Sequence, residues 1–225
     1  MPTDIILKVL IWAVPVLFSI VVHEVAHGWM ANKLGDDTAK RMGRLTLNPI
    51  SHIDPLGTII LPLIMIIMGG VVFGWAKPVP FNPYNFRKNI DPKTGAMWVA
   101  AAGPGSNLIL AFIATFVLVA TRKFFTNIPV SLFISINQLA GVLLSINLML
   151  ASLNLIPIPP LDGSKILMRF LPPAYEVHFR RLERYGFLIL ILLVFTGAFS
   201  KIISVPMEFL LNLFISIVNA LLSIF

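Results

Sequence analysis

Cysteine is absent from this chain of 225 residues, which excludes disulfides and thiolate metal ligands. Charge is nearly as scarce. Asp, Glu, Lys and Arg make up 12% of the residues against 57% hydrophobic, with a mean hydropathy of +0.90; a soluble domain carries about twice that share of charge. A water-soluble globular protein is thereby excluded, and an integral membrane protein is implied. No long polar stretch, internal repeat or low-complexity segment interrupts the apolar runs. One membrane-embedded domain over 1–225 is expected, with its core over about 5–170 and C-terminal helices over about 184–225. The first apolar run has one acid and one base before Ile11 and no small-residue cleavage pattern after it, so it reads as a retained span and not as a signal peptide. The formal net charge of +7 fits bases that flank membrane spans, and no nucleic-acid partner is expected.

What is present is mostly span. Apolar length marks 5–34, 56–75, 96–120, 130–157, 184–200 and 205–225, an all-α polytopic membrane protein with five to six transmembrane segments. Into the first of these the stretch "SIVVHEVAHGWMA" sets His23, Glu24 and His27. Ionisable groups in the middle of a span cost a few kcal/mol each unless paired, and mark a functional site by default. "HEVAH" has the H-E-x-x-H spacing, which on a helix puts His23 and His27 on one face, one turn apart, where two imidazoles can share a divalent ion. Glu24 is turned about 100° from His23 around the helix. It is placed to act on a water held by such an ion rather than to share it equally.

A zinc hydrolase site takes three protein ligands and keeps a position for water. Among the remaining acids Asp162 stands out, because it follows "NLIPIPPLDG", where Asn154 lies in an apolar span and Pro157, Pro159 and Pro160 prevent the helix from continuing. Unwound chain at membrane depth is tolerated only where it is buried in protein or lines a wet cavity. Other readings stay open at this point. Asp162 could simply cap a helix over "GSKILMRFL", and Glu208 and His52 are rival ligands. Glu208 follows Pro206 near a membrane edge, and His52, in "NPISHIDPLG", reads as a turn residue bonded to its neighbours or as a partner of Asp54 in a second ion site.

Together the two motifs resemble those of the site-2 protease family of intramembrane zinc metalloproteases. The signature of that family pairs H-E-x-x-H with N-x-x-P-x-P-x-x-D-G, matched by His23, Glu24 and His27 and by Asn154, Pro157, Pro159, Asp162 and Gly163; "AAGPGSN" further resembles its G-P-x-x-N element through Gly103, Pro104 and Asn107. With no room for a PDZ or CBS domain, the chain is similar to the small, core-only prokaryotic members. The resemblance implies a three-helix core, one zinc ion per chain held by His23, His27 and Asp162, and hydrolysis of peptide bonds in transmembrane protein or peptide substrates within the lipid bilayer. Glu24 is then the expected general base, and Asn154 is expected to donate to the oxyanion or to the substrate backbone, with an interhelical hydrogen bond as the alternative. Packing is the expected role of Asn107. A non-hydrolytic metal carrier or sensor is the competing class; it needs ligands but no general base.

Geometry gives a topology. His23 lies about 27 Å along the first span, near the far face, and Asp162 must reach the same depth. A full crossing by 56–75 would deliver Asp162 to the wrong face, so 56–75 is expected to enter and return as a short re-entrant or β-hairpin element, turned at Gly69-Gly70 and offering an edge at Val71–Trp75 to an unwound substrate. All Lys and Arg except Lys8, Arg122, Lys123 and Lys201 then fall on one face. That places five full spans in the cell (plasma) membrane, the N-terminus outside and the site open toward the cytoplasm.

Overall fold

The computed structural model describes residues 2–60, 63, 64, 67, 76–124 and 128–223, and all regular structure among them is helical. The long helices are α1 (Pro2–Leu34), α3 (Pro92–Phe124), α4 (Val130–Asn154) and α8 (Ala198–Leu222); the short ones are α2 (Thr38–Arg41), α5 (Asp162–Met168), α6 (Pro173–Glu183) and α7 (Gly186–Phe195). Four helical stretches, Ile11–Leu34, Pro92–Phe124, Val130–Asn154 and Ala198–Leu222, are long and apolar enough to cross a membrane. The chain is a multi-pass membrane protein.

Helix α3 packs between its neighbours. It runs antiparallel to α1, with Ala31 and Val99 in one buried cluster and the Arg87 N–H donating to Leu34 O at 2.9 Å just beyond the helix ends. On its other side Ala111 and Ala114 meet Leu144 and Leu148 of α4 and Phe214 of α8. Small alanines on α3 let the larger side chains close in, which is how helices associate where lipid supplies no hydrophobic drive. Helix α8 runs the same way as α3: Phe112 and Phe214 meet edge to face at 5.5 Å, and further along both helices the Lys123 ammonium donates to Leu222 O.

Two expectations about spans change. The stretch 184–200 is no single span: α7 has 10 residues, about 15 Å or half a hydrocarbon layer, and the chain then breaks at Gly197, whose φ of 71° is left-handed. Helix α8 starts from that break, earlier than the expected 205. The segment 56–75 begins as a π-helical turn, Pro55–Ile60; most of the rest, with Gly69-Gly70 and Val71–Trp75, lies outside the described residues.

At the end of the bundle where α1 stops, Asp36 ties the loops together. It is fully buried, and accepts from the Thr38 N–H, the Thr38 hydroxyl, the Asn85 amide and, at 2.6 Å, the Asn82 N–H. Arg44, also buried, donates to Lys77 O at 2.7 Å, while the Lys77 N–H donates to His52 O at 2.9 Å. These bonds pin the stretch 76–82 across α1. Burial pushes the Asp36 carboxyl up, but the bonds from Thr38, Asn82 and Asn85 outweigh it and hold the group below the usual aspartate range. Asp36→Ala is expected to cost the metal-free protein about 2–4 kcal/mol at pH 7, read as a lower thermal midpoint in detergent. A carboxyl more acidic when folded contributes stability above its unfolded pKa near 4 and loses it as pH falls through the lowered folded value. The gap between wild type and variant should therefore narrow below about pH 4; a gap that widens there would contradict this assignment.

Candidate metal centre

Helical spacing brings His23 and His27 together as expected: their rings meet edge to face at 4.6 Å, with Nε2 atoms 3.0 Å apart. Helix α3 can approach because Gly103 has no side chain. A Cβ at that position would lie 2.4 Å from His27 Cε1 and 2.6 Å from His23 Cε1. The outer nitrogens of both rings are held by α3: the His27 Nδ1–H donates to Val99 O at 2.7 Å and the His23 Nδ1–H to Asn107 Oδ1 at 2.6 Å. Both partners are acceptors, so Nδ1 carries a proton on each ring, and in the neutral imidazoles both Nε2 lone pairs face inward.

The third member arrives from α4. Its helix ends at Asn154, the prolines prevent continuation, and the chain turns back into α5, which Asp162 opens with Leu161 in the capping position. Gly163 makes the turn possible, since a Cβ there would lie 2.4 Å from Leu155 O. Asp162 is the first residue of α5 and not its cap. Its Oδ2 stands 3.2 Å from each histidine Nε2, and Lys165 Nζ approaches the other oxygen at 3.9 Å.

Three acceptor atoms thus converge in a triangle with edges of 3.0 to 3.2 Å, and all three residues are buried. Such a group repels itself unless a positive charge lies among its members. A tetrahedral zinc with bonds of about 2.0–2.1 Å sets its ligand atoms about 3.3 Å apart, so the triangle fits that ion with a small outward adjustment. Among the described residues this is the one His/Asp/Glu group close enough to hold a metal.

The remaining candidates fall elsewhere. Glu24 is half-buried, and its Oε2 accepts from the Val79 N–H at 2.8 Å, in the pinned stretch 76–82. The Asn154 amide donates to Leu150 O at 3.0 Å, within its own helix. His52 is a buried loop residue with Nε2 2.9 Å from Thr46 O. Asp54 caps the π-helical turn through the Leu56 and Gly57 N–H groups, so it is not turned toward a second ion with His52. Glu208 is exposed on α8. Sequence reasoning missed Asn147 and Ser19, which lie behind Asn107, and the two backbone groups, Val99 O and the Val79 N–H. An Asn in the middle of an apolar span was the available signal for Asn147.

The model of Peptidase family M50 matches residues 11–197. The chain is 40% identical over 190 residues to "Putative zinc metalloprotease YwhC" of Bacillus subtilis (strain 168), an alignment covering 84% of this chain and 82% of that protein. It is 30% identical over 185 residues to "Putative zinc metalloprotease Rip2" of Mycolicibacterium smegmatis, covering 82% of this chain and 66% of that protein, just under two thirds. It is 36% identical over 97 residues to "Putative zinc metalloprotease MJ0611" of Methanocaldococcus jannaschii, covering 43% and 46%. No solved structure matches the chain.

Gly103→Ala is expected to weaken zinc binding by about tenfold or more, because its methyl would displace both imidazoles. Gly105→Ala, at a position where a Cβ meets nothing within 4 Å, should leave binding unchanged. Equal zinc affinity in the two variants, by chelator competition, would show that the close approach at Gly103 does not shape the site.

Proposed function

Since this chain belongs to peptidase family M50, the site-2 protease family, and is a membrane-embedded zinc metallopeptidase, we propose that it cleaves transmembrane segments of other proteins with zinc held by His23, His27 and Asp162. The observation that carries this assignment is the convergence of His23 Nε2, His27 Nε2 and Asp162 Oδ2 within 3.2 Å of one another, with Glu24 next along the helix. The family sets aside the carrier reading.

Zinc bound there supplies a Lewis acid that polarises a carbonyl and makes water nucleophilic near neutral pH. The rest falls to the chain. Glu24 takes the proton of the attacking water and passes it to the leaving amine; the Val79 N–H holds Oε2, which leaves Oε1 for that transfer. Asn154 has two amide N–H groups. One goes to Leu150 O, and the second is assigned to the substrate carbonyl or backbone.

The segment 56–75 is assigned a re-entrant path. The Lys77 N–H bond to His52 O at 2.9 Å supports this, because both ends of the excursion then lie at one end of the bundle. An edge within it would satisfy the backbone groups of an unwound substrate, whose exposure in lipid otherwise costs several kcal/mol each. The cytoplasm is assigned to the site side by the basic residues gathered there, Lys33, Lys40, Arg41, Arg44 and Lys77 among them.

In proteoliposomes carrying a model membrane substrate, Glu24→Gln is expected to keep about one zinc per chain and to lose turnover by about 10²–10⁴-fold. Asp162→Ala is expected to lose most of its zinc, since two imidazoles alone hold the ion poorly. Retained turnover in Glu24→Gln rules out the general-base role. Unchanged metal in Asp162→Ala rules out the third ligand.

A further inference from the structure

Behind the metal centre a second polar group crosses the bundle. Ser19 of α1, Asn107 of α3 and Asn147 of α4 each have no exposed surface, although they sit among apolar helices. Buried amides in lipid-embedded helices are kept only where their bonds are satisfied, and here every bond has a direction. The Ser19 hydroxyl donates to Pro15 O at 2.7 Å, so its oxygen is free to accept, and it accepts from the Asn147 amide at 2.8 Å. The same Asn147 amide nitrogen donates to Leu143 O at 2.8 Å. Asn147 Oδ1 is therefore the atom that faces α3, where it accepts from the Asn107 amide at 2.8 Å. Asn107 in turn must present Oδ1 to the His23 Nδ1–H, 2.6 Å away.

We propose that Asn147 is a positioning residue: by orienting the Asn107 amide it keeps the His23 proton on Nδ1 and so presents Nε2 to the metal. This deepens the zinc-site reading and rests on it. An amide can turn over with almost no change in shape, exchanging donor for acceptor. A reversed Asn107 would present N–H groups to His23 Nδ1, the ring proton would move to Nε2, and His23 would cease to be a ligand. Asn147 prevents that reversal, because two amide oxygens would then face each other at 2.8 Å, whereas the other acceptor of the Asn107 amide, Ser19 O, lies at the longer distance of 3.5 Å. Asn147 cannot reverse in compensation, since Leu143 O can only accept. The backbone carbonyls of Pro15 and Leu143 thus set the polarity of the whole series, which reaches His23 through Asn147 and Asn107.

The test is zinc affinity of the full chain in lipid nanodiscs, by chelator competition. Asn147→Leu is expected to raise the zinc Kd by about 10–100-fold. Asn107→Asp offers His23 an acceptor in either orientation and turns an oxygen toward Asn147 Oδ1, so in that background Asn147→Leu should raise Kd by less than about threefold or lower it, because no favourable orienting bond remains to be lost. A mere packing role would carry the same loss into both backgrounds; equal losses, or an unchanged Kd in Asn147→Leu alone, overturn the proposal. Should Asn147→Leu fail to fold, judged by thermal unfolding without metal, Asn147→Ala carries the same pair of comparisons. His23→Ala separates the two claims. Loss of zinc there supports the ligand assignment on its own, whereas wild-type affinity in His23→Ala overturns that assignment and the role of Asn147 with it.

Discussion

Acceptor repulsion inside an apolar bundle is the constraint on which the site depends. His23 Nε2, His27 Nε2 and Asp162 Oδ2 face one another across 3.0 to 3.2 Å, with both ring Nδ1 atoms already engaged by acceptors on α3, in a part of the protein that water barely reaches. A carboxylate and two imidazole lone pairs so placed are costly unless a cation compensates them. The fold accepts that cost by holding each member from outside. Val99 O and Asn107 fix the rings, Gly103 lets α3 close over them, and the proline-stopped end of α4 turns Asp162 inward.

The same end of the bundle binds the chain that crosses the site. Asp36 and Arg44, both buried, hold Asn82 and Lys77 at the two ends of one stretch, and between them the Val79 N–H meets Glu24. A membrane protease has to keep a polar, extended segment beside its reactive groups without releasing those backbone groups into lipid. Loop bonds to buried charges meet that requirement here. The Val79 N–H occupies one oxygen of the Glu24 carboxylate and leaves the other for the proton transfer proposed for it.

Much of this was legible in the sequence, for identifiable reasons. H-E-x-x-H fixes a one-turn separation whatever else the fold does, so His23 and His27 could be paired before any tertiary information. Asp162 was legible because its prolines forbid a helix exactly where hydropathy would extend one. Asn147 was not, since an Asn inside an apolar helix has the same local pattern as an interhelical packing contact; its meaning depends on α1 and α3. Val79 and Val99 act through backbone atoms, which side-chain identity does not report. The stretch 184–200 misled for a different reason. Hydropathy counts apolar residues and continues through Thr196-Gly197, whereas the left-handed φ of Gly197 ends the helix there.

The central claim is that zinc sits on two imidazoles and a carboxylate, and X-ray absorption at the zinc edge of the purified, membrane-reconstituted protein tests it most directly. Two imidazole rings and oxygen donors at about 2.0–2.1 Å are expected, with His23→Ala removing one ring from the outer-shell scattering. A zinc environment with three or more imidazoles would bring in His52 or His178, and one with no imidazole at all would place the metal elsewhere; either result would contradict the site described here.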